Sequence, residues 1–293
     1  MQIKGIEKFR GKTPWFSGKK ICVVPVYAFF IISLSIAVMI GFDSIPGRII
    51  LSDVNPIVLS LFPLIGELVV CVVGFLMIYQ MWLWRDRFRA KYGSLSYQHI
   101  CLVGFAGVAC WLSLVINLFI PYWSFSPSFW LKSPLQSLVL PLESYIPVAG
   151  PILFWVRMTF SILFSGVGIM MFIRSLQTFG FDYMAVVYLY FPEESQLQNH
   201  EIYSVLRHPA YAGILTVGLG GMFFTFTSYS IIFLIVFVLA FYIHIHFVEE
   251  KELILRFGTS FQEYRKNVPA FVANPRKIGI FLDFLIRGPS TLN

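Results

Sequence analysis

The sequence predicts an all-α polytopic membrane bundle of about six transmembrane helices with a C-terminal cytoplasmic amphipathic helix. Three observations carry that expectation. Of 293 residues, 57% are hydrophobic and 13% charged, with a mean hydropathy of +0.75; soluble domains run at roughly 45–50% and about 25%. The apolar residues come in blocks long enough to cross ~30 Å of hydrocarbon at 1.5 Å per helical residue. The basic residues gather in loops on one side. The same balance excludes a disordered chain, which stays solvated only with few aromatics and much charge.

In chain order, residues 21–42 form an uncharged block, and 57–84 carry only Glu67. Residues 100–123 are uncharged, and 147–173 carry only Arg157. Residues 209–248 are too long for one crossing, and the polar run from Thr225 to Ser230 splits them into a tight hairpin. That gives six crossings. Residues 134–147 read as a loop or re-entrant piece. Four segments result: a cytoplasmic N-terminal stretch 1–20, transmembrane helices over 21–176, a catalytic region with the hairpin over 177–275, and a cytoplasmic tail 276–293.

Charge tests the count. All of the 22 basic residues except Arg48, Lys132 and Arg157 lie before the first span, between the second and third, between the fourth and the hairpin, or after it. Basic residues collect on the cytoplasmic side, so both termini are expected there. The net charge of +7 is therefore topology and not a nucleic-acid footprint. Cys22, Cys71, Cys101 and Cys110 fall in or beside spans without metal-ligand spacing and read as small apolar core residues. The basic N-terminus runs into a full-length span without a small-residue cleavage site, so no cleavable signal is expected.

Polarity returns between Gln177 and Leu206. Tyr183, Tyr188 and Tyr190, set among strand-forming residues, read as an interfacial loop, either a headgroup belt or the lining of a cofactor site. Next comes Tyr203-Ser-Val-Leu-Arg207-His208-Pro209-Ala210-Tyr211-Ala-Gly213. Proline favours the first helical position, which puts Arg207 and His208 beside free N–H groups that suit a carboxylate or phosphate. Arg207 equally reads as a boundary residue of the membrane. The hairpin returns the chain to the same face, where Glu249 and Glu250 emerge. Acids suit the start of a following helix; alternatively they form the cation-binding end of a site whose anion-binding end is Arg207 and His208. A ligand with carboxylate, ammonium, sulfonium and ribose, as in S-adenosylmethionine, suits such a pair of ends. Ionisable groups within spans are costly and usually functional or paired, so Glu67 and Arg157 read as an ion pair with each other or as part of an acceptor cavity. Residues 252–267 form an amphipathic helix lying on the bundle or the lipid, interrupted by Gly258 and ended by Val268-Pro269. Gly218, Gly220 and Gly221, mid-span, read as helix packing.

The order Tyr203-x3-Arg-His-Pro-x-Tyr-x-Gly213, hairpin, Glu249-Glu250-x2-Leu-x3-Phe257-Gly258-x2-Phe-x2-Tyr264-x3-Val-Pro269 resembles the isoprenylcysteine carboxyl methyltransferase family. That superfamily includes the membrane phospholipid N-methyltransferases. The resemblance covers residues 180–275 and implies a helical membrane enzyme that binds S-adenosyl-L-methionine near the cytoplasmic face. It implies cofactor-binding roles for Tyr203, His208, Pro209, Ala210, Tyr211 and Glu249, with Gly213 permitting close approach of a helix or the cofactor. Arg207 and Glu250 are expected around the sulfonium or the acceptor, as catalytic residues. One position departs: where the isoprenylcysteine enzymes carry an arginine four residues before the first glutamate, this chain has Ile245. The expected acceptor is therefore a lipophilic or amphiphilic molecule from the bilayer, not necessarily a prenylated cysteine. A membrane reductase of the sterol-reductase type, using NADPH, is the alternative.

Overall fold

The computed structural model describes residues 4–16, 18–48, 62–120, 140–146, 149–185 and 187–288. Six apolar helices run through them: α2 (Val23–Arg48), α3 (Phe62–Tyr92), α4 (Cys101–Asn117), α5 (Gly150–Phe179), α6 (Pro209–Thr225) and α7 (Ser228–His244). They are preceded by α1 (Ile6–Lys12) and followed by α8 (Glu250–Phe257), α9 (Thr259–Asn267) and α10 (Ile278–Arg287). No strand occurs among the described residues. Four helices are long and apolar enough to cross a membrane, α7 being counted with its continuation to Phe257; α4 and α6 are shorter, at 17 residues each. Seventeen residues rise about 26 Å, the low end of what spans a bilayer core. Residues 57–61, 121–123 and 147–148 of the expected spans, and 134–139 of the expected loop, lie outside the described set.

The outer surface is that of a membrane protein. Phe29, Trp155 and Ile162 leave 71%, 70% and 72% of their surface open. Their neighbours along α2 and α5 are similarly apolar and outward, a continuous patch of a kind that water does not tolerate.

Helices α5 and α6 make the closest contact in the bundle, and glycine permits it. A methyl group on Gly168 would lie 2.6 Å from the Gly213 carbonyl oxygen, and one on Gly213 would lie 2.8 Å from the Gly168 carbonyl oxygen. Gly220 meets Ser165 on α5, Gly221 meets Leu118 and Phe119, and Gly218 meets Leu234 on α7. Small residues let backbones approach in lipid, where packing replaces the hydrophobic drive. The mid-span glycines are thus packing residues, as expected.

The hairpin turn is built from its own polar residues. Phe226 takes a left-handed conformation at φ 49°, and Thr227 caps α7. The Ser230 amide donates to Thr227 Oγ1 at 3.0 Å, and the Thr227 amide donates to Ser230 Oγ at 3.1 Å. This reciprocal box satisfies amides that lipid would leave bare.

The same end of the bundle holds two buried polar clusters, and they correct one expectation: Glu67 and Arg157 do not pair with each other. Glu67 accepts from Asn117 Nδ2 at 2.7 Å and from the Tyr229 hydroxyl at 2.6 Å, tying α3, α4 and α7. Arg157 pairs with Glu143 at 2.5 Å and donates to the carbonyls of Phe223 and Phe224, which end α6.

The opposite end gathers the basic loops. Phe9 of α1 is buried against Tyr97, Phe105 and Phe181. Lys4 donates to the Thr178 carbonyl at 2.6 Å, while Lys8 and Lys12 reach Glu194 at 3.0 and 2.7 Å. Arg85 and Arg89 of α3 reach Glu252 and Glu193 at 3.4 and 2.8 Å. Residues expected as an interfacial loop here fold into single helical turns, Phe181–Met184 and Val187–Tyr190. Tyr190 is fully buried with its hydroxyl on the Met81 carbonyl, and Tyr188 is buried with its hydroxyl on Asp182. Neither is a headgroup belt nor open to a ligand. The side chain of Tyr183 lies outside the described set.

The amphipathic stretch is broken at Gly258 as expected, into two helices, because Gly258 turns the chain at φ 58°, ψ −130°, a region essentially reserved for glycine. Its apolar side, Phe257, Phe261 and Tyr264, packs on Leu197 of the bundle. The segment expected as a tail forms α10, seated by Phe281 and Leu285. All four cysteines are free, and Cys22 is exposed, not core.

Candidate functional site

Three pieces of chain meet at the basic end. The first is the 3-10 turn Glu201–Ser204 leading into Arg207 and His208, which precede α6. The second is the exit of α7, where Ile245–Glu249 form a π-helical turn before α8. The third is residues 265–275, the last turn of α9 and the chain that follows it. The chain pairs the first to the third through its backbone, since the amides of Arg207 and His208 donate to the carbonyls of Pro269 and Ala270 at 2.9 and 3.1 Å.

The π turn decides which way the acids point. Such a turn takes one more residue than an α turn and recurs at functional sites. Here it lets both of two adjacent glutamates reach one imidazole. His208 Nδ1 lies 3.5 Å from Glu249 Oε1, and Nε2 lies 3.3 Å from Glu250 Oε1. His208 itself is 5% exposed.

Glu250 is fully engaged. Arg207 donates to its Oε1 from Nε at 3.0 Å and from Nη2 at 2.8 Å, and Arg265 Nε sits 3.1 Å from Oε2. The remaining Arg207 nitrogen donates to the carbonyls of Arg265 and Val268. His246 Nδ1 is 3.3 Å from Arg265 and 3.9 Å from Glu250. The two ends expected to flank a ligand are therefore in direct contact. A guanidinium and a carboxylate this close satisfy each other, so Arg207 and Glu250 hold the chain segments together. Glu249, one residue earlier, keeps 31% of its side chain open and stands beside Tyr211.

Burial disfavours the imidazolium of His208, but hydrogen bonds and charge from Glu249 and Glu250 outweigh it, so its pKa is raised from the ordinary histidine value.

The structure brings Arg207, His208, Tyr211, Glu249 and Glu250 together, with Pro209 and Ala210 in the first turn of α6. Tyr203 adjoins this group, within reach of the charge of Glu249, with its ring against Phe179 at 4.9 Å and its carbonyl accepting from the Tyr264 hydroxyl at 2.6 Å. Gly213 faces α5, at the helix contact described above. Ile245, at the departing position, is 2% exposed in the main core. His244 lies between Phe75 and Trp111, at 5.3 and 5.6 Å, facing neighbouring helices. Sequence reasoning missed Arg265 and the π turn. Arg265 stands next to Tyr264 of the second motif, and only the fold of α9 under Glu250 discloses its role.

Beside the cluster an open cleft of about 450 Å³ is lined by Arg207, Arg265, Lys266, Asn267, Pro269 and Asn274 among others. Its size lies within the range of small-ligand sites. Its rim is basic, with Arg207, Arg265 and Lys266.

Residues 156–260 match the family model for phospholipid methyltransferases. The matched segment runs from α5 into α9 and contains the first motif, the hairpin, the π turn and the second motif as far as Gly258. No curated protein and no solved structure matches the chain. Over this segment the chain is similar to the phospholipid methyltransferases, in keeping with the resemblance read in the motifs.

Proposed function

We propose that the protein transfers a methyl group from S-adenosyl-L-methionine to an amphiphilic acceptor drawn from the bilayer, a lipid in particular. The observation that carries this reading is the knot of Arg207, His208, Glu249 and Glu250, joined through Arg207 to a basic cleft and lying inside the segment that matches the phospholipid methyltransferases. The cofactor supplies an electrophilic methyl on a sulfonium. The protein's part is alignment and exclusion of water. Glu249 offers its open carboxylate to the cofactor's ammonium or ribose hydroxyls. Arg265 and Lys266 at the cleft offer charge to its carboxylate. Arg207 and Glu250 act on the reacting centre by fixing His208 and Glu249. Pro209, Ala210 and Tyr211 wall the same side, and Tyr203 supports them from behind. The buried Ile245 leaves no cation where the isoprenylcysteine enzymes hold a carboxylate, which favours an acceptor that reacts through another group. The site is read as cytoplasmic, with both termini.

Equilibrium titration of the purified protein with S-adenosylhomocysteine and, separately, NADPH separates this reading from the reductase. Binding of the first alone, weakened at least about tenfold (about 1.4 kcal/mol) by Glu249→Gln, is the expected result. Binding of NADPH alone overturns it. Label transfer from methyl-labelled cofactor into a total membrane extract then identifies the acceptor fraction.

A further inference from the structure

Helix α10 carries more apolar surface than the protein covers. Phe281 and Leu285 belong to one core with Met171, Ile202 and Leu206. Arg174 of α5 fastens the helix by donating to the carbonyls of Leu285 and Ile286 at 2.9 and 2.8 Å, and Lys277 Nζ donates to the Ser204 carbonyl at 3.2 Å. The adjoining row, Ile278, Leu282 and Ile286, is spaced i, i+4, i+8 and remains 53%, 48% and 71% exposed. The next sector is polar, with Asp283 and Arg287 paired at 2.6 Å; Ile280 is exposed beyond it.

Two observations name what covers this row. Phe172 and Ile173, just before Arg174, are outward and apolar on a helix long enough to cross a membrane. The row on α10 therefore continues a lipid-facing surface to the level where polar loops begin. Basic residues also bracket the helix, with Arg276 and Lys277 at its start and Arg287 at its end. An apolar row beside basic residues is the pattern of helices that lie in the interface of anionic membranes.

We propose that α10 is an interfacial helix docked on an anionic leaflet, with Ile278, Leu282 and Ile286 at the acyl boundary and Arg276 at headgroup phosphates. Because Asn274 and Pro275, immediately before it, line the cleft, this docking holds the cleft's rim at headgroup level. The inference rests on the surface of α10 and stands whatever reaction the site performs.

The test uses the full chain in vesicles of phosphatidylcholine with phosphatidylglycerol. An environment-sensitive fluorophore is attached at Ile278→Cys, Leu282→Cys, Ile286→Cys or Asp283→Cys, all on open positions, with the parent chain giving the background of native thiols. Labels at 278, 282 and 286 are expected to be quenched by lipid nitroxide near the headgroup and shielded from iodide, and the label at 283 the reverse. Equal iodide quenching at all four overturns the proposal, as does shielding from both quenchers that disappears on diluting the protein, which assigns the row to a second copy. The Arg276→Glu variant, at an exposed position, is expected to lose lipid quenching with phosphatidylglycerol present; an unchanged signal overturns the anionic assignment.

Discussion

Glu249 and Glu250 are neighbours in sequence and unequal in surroundings. Glu250 is 2% exposed and shared among Arg207, His208 and Arg265. Breaking a buried pair by removing one partner typically costs 3–5 kcal/mol. Arg207 keeps some contact with solvent, so Glu250→Ala is expected toward the lower end, about 3 kcal/mol, read as a lowered midpoint of thermal unfolding in detergent. Glu249→Gln, at a half-open position, is expected to leave that midpoint nearly unchanged while lowering ligand affinity. If both substitutions prove equally destabilising, the division of labour between the two acids is wrong. Glu194 gives a pH dependence with a definite sign. Burial raises its pKa, but hydrogen bonds and charge from Lys12 and Lys8 outweigh that and lower it overall. A lowered carboxylate contributes stability above its unfolded pKa and loses it as pH falls through the folded one. Protease cleavage around Lys8 and Lys12 is therefore expected to quicken below the ordinary carboxylate range, and Glu194→Gln to reproduce this at neutral pH.

At the scale of elements, the motif-bearing helices depend on contacts that tolerate little change. The close approach of α5 and α6 puts Gly168 and Gly213 backbone to backbone. Gly213→Val is expected to force the helices apart, so that His208 shifts from Glu249 and both folding yield and ligand binding drop together. At the hairpin turn, Thr227→Ala removes one half of the capping box, a loss of about 1 kcal/mol, with no effect on ligand affinity because the turn is at the far end of the bundle. Much of this was legible in the sequence. Apolar blocks gave the helices, Pro209 gave the start of α6, the polar Thr225–Ser230 run gave the turn, and Gly258 gave the break between α8 and α9. What stayed hidden depends on long-range partners. Nothing local to Arg157 points to Glu143, and nothing local to Tyr190 announces a buried hydroxyl on Met81. Composition around Tyr188 favoured strand or interface, and packing against α1 made it helix. The π turn was equally invisible, since Ile245–Glu249 has no proline, glycine or other breaker.

For the whole molecule, the distribution of buried polarity separates two ends. One end is closed by structural pins, Glu67 with Asn117 and Tyr229, and Arg157 with Glu143. The other holds the cleft and the histidine between its acids. Chemistry at one end, with an apolar exterior around it, suits an acceptor that arrives sideways from the bilayer. Topology is open to direct measurement: Lys19→Cys and Tyr145→Cys, both exposed, are expected to label with a membrane-impermeant thiol reagent from opposite sides of sealed vesicles. Labelling of both from one side refutes the bundle's orientation.

The widened turn at Ile245–Glu249 has a consequence for how the catalytic geometry is stored. A bulge of this kind holds one surplus residue while the helices on either side keep their facing. Excising Phe247, whose side chain points outward, should let α7 run into α8 as ordinary helix without disturbing the bundle. The shortened chain would insert and pack much as before, yet offer the imidazole one carboxylate in place of two. A single codon thus separates a histidine held by two acids from one held by one.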